Sequence, residues 1–195
     1  MARKNLTEAR TDEILDAFAR CMVKYGLDAS LEQVAEEAGM TRSIIRHYIG
    51  NREEVVNRLI ERISQEYLQE LREAEAHIPQ GEMIAVTLDY LFGDEPGYDD
   101  YDKLIIDVMM TAKERYPQAK QSLMAMLDEL VAMFTKDLRL AYPQASEIRC
   151  QEVAYSILCL AMSNESFLWM GMNPAYNTAA RSSAEALLKS LEESA

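Results

Sequence analysis

The stretch that decides the fold is Ser30-Leu31-Glu32-Gln33-Val34-Ala35-Glu36-Glu37-Ala38-Gly39-Met40-Thr41-Arg42-Ser43-Ile44-Ile45-Arg46-His47-Tyr48-Ile49. Ser30 followed three residues later by Gln33 predicts a capping box, in which each side chain satisfies a backbone N–H at a helix start. Val34, Ala35 and Ala38 give that helix an apolar side, and Gly39 can take the left-handed conformation that ends it. Thr41 is the next N-cap candidate, and Met40 can pack on Ile45 as a hydrophobic staple, so a second helix restarts at once and runs to about Tyr48. At about 100° per residue, Ile45, Tyr48 and Ile49 fall on one arc and Arg42, Ser43, Arg46 and His47 on the opposite one, with Ile44 at the border.

Two short helices joined by a tight glycine turn fit a helix-turn-helix, whose second helix lies in the major groove of DNA. Arginine can pair bidentately with guanine, serine can bond to base edges or phosphate, and Ile44 can touch a thymine methyl. Charge distribution supports the same reading. The 195 residues carry a net charge of −13, which argues against wholesale coating of nucleic acid or anionic lipid. Up to Arg72 there are 11 Lys and Arg against 13 Asp and Glu, and beyond it 9 against 20. Met40 to Arg52 nevertheless contains Arg42, Arg46, His47 and Arg52 and no acid. A positive island stands in an acidic chain.

Outward from this island, apolar residues recur at helical spacing and no period-2 alternation is seen, so the fold class is all-α. Ile14, Phe18, Cys21 and Tyr25 form one stripe of a first helix expected to start at Thr7 and stop at Gly26. Gly50 breaks the recognition helix, and Asn51 with Glu54 three residues on caps a long fourth helix bearing Val56, Ile60, Ile63, Tyr67 and Leu71. His77-Ile78-Pro79-Gln80-Gly81 reads as a junction. Further helices are expected over Glu82–Phe92, Asp102–Arg115, Pro117–Ala141, Ala145–Gly171 and Ala175–Glu193, with an acidic loop from Gly93 to Asp100 that lacks the calcium-loop pattern. The expected division is 1–51 for a DNA-binding domain with the helix-turn-helix at about 30–49, 52–76 for a connecting helix, and 77–195 for a regulatory domain. The longest apolar run found in the latter half, Ile157 to Met162, is far shorter than the roughly 18 residues of a membrane span, and no secretory leader is readable, so a cytoplasmic protein is expected. Cys21, Cys150 and Cys159 have no C-x-x-C spacing and are read as small buried apolar residues, not as a disulfide framework or metal ligands.

Arg10-Thr11-Asp12-Glu13-Ile14-Leu15-Asp16-Ala17, Tyr25-Gly26, Val34-Ala35-Glu36-Glu37-Ala38-Gly39-Met40-Thr41 and Tyr48-Ile49-Gly50-Asn51-Arg52-Glu53-Glu54-Val55 together resemble the DNA-binding domain of the TetR family of bacterial transcriptional regulators. The resemblance covers roughly Thr7 to Ile63. It implies an N-terminal three-helix DNA-binding domain, a fourth helix, and a helical regulatory domain that dimerises and binds a small effector. By position it also implies that Thr41 and Arg52 contact phosphate and that Tyr48 touches the DNA backbone. Two departures stand out: Arg46 replaces the usual tyrosine and Ile49 the usual phenylalanine.

The segment Val153–Met162 is apolar on almost every side, and a helix of that kind must be covered all round. Tyr176, Ala180, Ala184, Leu187 and Leu191 form a stripe on the last helix whose small residues would admit a partner, so a homodimer through the last two helices is expected. Such a dimer would set two recognition helices about 34 Å apart on a palindromic operator in double-stranded DNA. Nine of 12 Met and 11 of 15 aromatic residues follow residue 80, side chains suited to an adaptable ligand cavity. Tyr90, Met109, Phe134, Phe167 and Trp169 are its candidate lining, and the acidic surplus favours a small apolar, neutral or cationic effector over an anionic one. No cofactor, metal or membrane partner is expected. Enzymatic motifs are missing: there is no G-x-S-x-G, Walker loop or H-E-x-x-H, and neither His47 nor His77 has a glutamate three residues before it. The expected function is a DNA-binding regulator, acting as a repressor released by its effector; the alternative is a helical protein–protein adaptor that does not bind DNA.

Overall fold

The computed structural model describes residues 2–93 and 116–192, so the helix expected at Asp102–Arg115, the body of the acidic loop and Met109 lie outside the described residues. The described residues are all-helical: α1 (Ala2–Tyr25), a 3-10 turn (Gly26–Asp28), α2 (Leu31–Glu37), α3 (Arg42–Tyr48), α4 (Arg52–Glu75), α5 (Met83–Phe92), α6 (Pro117–Ala141), α7 (Glu147–Trp169) and α8 (Ala175–Glu192). α1 begins at Ala2, earlier than expected, because Thr7 sits inside the helix, where its carbonyl accepts from the Thr11 hydroxyl (2.9 Å). Helix ends follow local chemistry. Gly26 (φ 68°) and Gly39 (φ 62°) take the left-handed conformation after α1 and α2, which costs an L side chain energy but glycine none.

The chain packs as two compact units. Of the described residues, one comprises 2–67 and 116–126, the start of α6; the other comprises 68–93 and 127–192. The division falls within α4, as it does within α6. Its cause is the burial of Val55, Val56, Leu59, Ile60 and Ile63 on the first turns of α4, which join Ile14, Phe18, Cys21, Val34, Ile45 and Ile49 among the buried residues of the first unit. Asn57, buried on the same helix, accepts the Ala119 N–H (3.1 Å) and donates to the Gln118 side chain (3.2 Å), tying the first turn of α6 to this unit.

In the second unit Leu88 and Phe92 of α5, Phe134 and Leu138 of α6, Val153, Ala154, Ile157 and Ala161 of α7, and Ala180, Ala184, Leu188 and Leu191 of α8 form one core. Ala180 and Ala184 are thus spent inside the chain. The small-residue stripe expected to meet a partner instead lets α8 approach the rest of its own unit. α7 is apolar on two sides, as its sequence implies, but its second side is bare: Ile148 is 71% exposed and Tyr155 60%, and Cys159, expected to be buried, is exposed beside them.

Candidate nucleic-acid interface

Both capping boxes around the helix-turn-helix are formed. Ser30 Oγ accepts the Gln33 N–H (3.2 Å) while Gln33 Oε1 accepts the Ser30 N–H (2.7 Å). Asn51 Oδ1 accepts from Glu54 N–H (3.1 Å) and the Glu54 carboxylate from Asn51 N–H (2.6 Å). These reciprocal bonds fix where α2 and α4 begin, and α3 is held between them. Thr41 has the extended backbone of an N-cap, but its side chain makes no cap bond; its hydroxyl pairs with that of Ser43 at 2.8 Å.

Ile45 is the one buried residue of α3, with Ile49 buried just beyond it and Tyr48 half-buried. Thr41, Arg42, Ser43, Ile44, Arg46 and His47 are all exposed. The two arcs read from the sequence are therefore the two faces of the helix. On the outer face, Arg46 has no ion pair among the described residues, the His47 and Tyr48 rings meet edge to face at 5.1 Å, and Arg42 pairs with Glu32 of α2. Gly39, Met40, Ser43, Ile44, His47 and Tyr48 border an open hollow of about 460 Å³ together with Arg10 of α1.

Arg10 was absent from the sequence-derived set. It lies one turn ahead of Ile14 on the core-facing stripe of α1, and that periodicity would have placed its head at the edge of the helix-turn-helix. Arg52 is half-buried. Its Nε donates to the Ala29 carbonyl (3.0 Å), its Nη1 to the Tyr116 hydroxyl, and its Nη2 is buried without a hydrogen-bond partner. Its guanidinium carbon lies 5.8 Å from the centre of the Tyr116 ring. The reason is position: as the first residue of α4 it points back to a carbonyl left outside any helix ladder.

Of the five residues expected to line a ligand cavity, four are described. Phe134 belongs to the core of the second unit, Tyr90 is half-buried, and Phe167 and Trp169, 50% and 37% exposed, lie at the end of α7 on the surface. A second open hollow, of about 520 Å³, is bordered by Thr135, Lys136, Arg139, Leu140, Glu147 and Gln151 and by none of the five. Among the described residues no helix is long and apolar enough to cross a membrane, and no three His, Cys, Asp or Glu are grouped to hold a metal ion.

Solved structures share this arrangement of helices. A TetR/AcrR-family regulator superposes with a TM-score of 0.75 at 16% identity, over 93% of this chain and 99% of the other. A TetR-family regulator from Agrobacterium tumefaciens gives 0.74 at 14% identity, over 94% and 97%. The chain has the TetR-family fold. NalD of Pseudomonas aeruginosa, the secondary repressor of the MexAB-OprM multidrug efflux pump, shares the TetR-family fold with a TM-score of 0.58 at 15% identity, over 96% and 97%. No protein-family model and no curated protein matches the chain. At identities this low the agreement is one of fold, and α1 to α3 of this chain correspond to the three-helix head that the sequence resemblance implies.

Proposed function

We propose that the protein is a DNA-binding transcriptional regulator, a repressor that binds a palindromic operator as a homodimer and is released by a small effector. The observation that carries this reading is the outer face of α3: Thr41, Arg42, Ser43, Ile44, Arg46 and His47 exposed together, within thirteen residues that contain no acid, with Ile45 fully buried behind them. Arginine, hydroxyl and imidazole donors on a helix that stands proud of its own core suit phosphate oxygens and base edges in a major groove. Tyr48, half-buried at the rim, would touch the DNA backbone. The repressor sense follows NalD, which shares the fold.

The dimer is supported by the bare side of α7 and by Tyr176 of α8, 57% exposed; large apolar side chains in that number on two neighbouring helices suit a self-complementary two-fold contact. The effector would be small and apolar, neutral or cationic, and would act by its differential affinity for two states of the dimer, only one of which matches the groove spacing. α4, whose 24 residues span about 36 Å at 1.5 Å each, would carry the change.

The test is fluorescence anisotropy on duplex DNA from upstream of the protein's own gene, titrated with salt. A regulator binds with an affinity that falls steeply as salt rises, because phosphate contacts release counterions. An adaptor shows no such binding.

A further inference from the structure

Resting on the DNA-binding reading, we propose that Glu32 is a specificity-determining residue that acts through Arg42. Arg42 and Arg46 flank the same exposed face of α3, yet they are held differently. Nη1 of Arg42 pairs with Oε1 of Glu32, ten residues earlier in the first turn of α2, while Arg46 has no ion pair among the described residues. Both partners of the pair are exposed, Arg42 at 48% and Glu32 at 60% of their side chains. An ion pair so wet contributes little to stability, so its effect lies in where it leaves a charge.

The segment from Met40 to Arg52 has no acid of its own, and Glu32 supplies one from the neighbouring helix. A guanidinium already bonded to a carboxylate is a poorer catcher of arbitrary phosphates, since each such contact must first break the pair and bring Glu32 near the polyanion. Glu32 therefore lowers the sequence-independent part of binding, while Arg46, unpaired, keeps its donors for base edges. The ratio of specific to non-specific affinity rises although the total does not.

Glu32→Gln keeps the shape and removes the charge. On a fluorescein-labelled mixed-sequence duplex we expect it to bind more tightly than the wild type, with the slope of log K against log salt steeper by about 0.9, the value for one added phosphate contact. Between 50 and 200 mM salt that slope shrinks the gain by about 3.5-fold. In an Arg42→Ala background the same substitution should change neither quantity. Glu36→Gln, an equal charge change one turn on in α2, should leave the slope at its wild-type value. A thermal melt confirms that each variant is folded, since a charge in the first turn of α2 also favours that helix start. An unchanged slope in Glu32→Gln, or an equal gain without Arg42, overturns the role of Glu32 while leaving DNA binding intact. If neither wild type nor Glu32→Gln binds the duplex, the DNA-binding reading falls and this inference with it.

Discussion

Ile44 and Ile45 are adjacent, chemically identical and set about 100° apart around α3, which makes them a sensitive gauge of how that helix is rotated. Ile45 is fully buried and Ile44 is 38% exposed. Ile45→Ala deletes three carbons, about 2.4 kcal/mol at roughly 0.8 kcal/mol for each, before any cavity term; with the cavity we expect about 3 kcal/mol, inside the usual range for such truncations. For Ile44→Ala the transfer loss is smaller and solvent fills the space, so about 1 kcal/mol is expected. In urea, with a slope of about 2 kcal/mol/M, the midpoints should fall by about 1.5 M and about 0.5 M respectively. Ile44→Ala should remain folded in dilute buffer and bind duplex DNA less well, because only its outward contact is lost. Equal midpoint shifts, or a larger one for Ile44→Ala, would refute the orientation of α3 and with it the assignment of its outer face.

Other expectations follow from single features. Gly50 has φ 109°, and a Cβ there would sit 1.8 Å from Glu54 Oε2; Gly50→Ala must strain the backbone and displace the carboxylate that closes the Asn51 box, a loss of about 2 kcal/mol by urea unfolding. Tyr155→Glu puts a charge on the bare side of α7 and should convert a dimer to a monomer in sedimentation velocity while far-ultraviolet circular dichroism stays unchanged. Burial pushes the Asp137 carboxyl above its ordinary value, and burial together with the charge of Asp137 does the same to Glu75. Such groups bind protons more tightly in the folded chain, so their contribution to stability is full below the ordinary carboxylate range and is lost as pH rises through the elevated folded-state values. Asp137→Asn should flatten that decline in urea titrations run across mildly acid pH, and an unchanged pH profile would contradict the cause given.

What the sequence revealed and what it concealed divide by distance along the chain. The Ser30–Gln33 and Asn51–Glu54 boxes, the glycine stops at 26 and 39 and the proline start of α6 at Pro117 are contacts or conformations within four residues, and each could be read directly. The two faces of α3 were equally legible, since seven residues at helical period fix which side is apolar. Arg52 was not: its partner Tyr116 lies 64 residues away, and no local pattern announces a guanidinium that turns inward. Ala180 and Ala184 misled for a related reason. A stripe of small residues says that something packs closely, but not whether the neighbour belongs to the same chain. Composition has the same limit: a surplus of methionine and aromatic residues does not say which of those side chains meet, and Phe134 in the core and Phe167 on the surface look the same as letters.

The central claim is that the outward side chains of α3, Arg46 foremost, enter DNA, and the salt dependence of duplex binding by Arg46→Ala measures it most directly. Arg46 is exposed and lacks an ion pair among the described residues, so its removal should leave the unfolding midpoint unchanged. On the duplex from upstream of the protein's own gene, the account predicts an affinity loss of about 1–3 kcal/mol, larger than on a mixed-sequence duplex, as expected for a base contact. Superimposable anisotropy curves for Arg46→Ala and wild type at every salt concentration would contradict it.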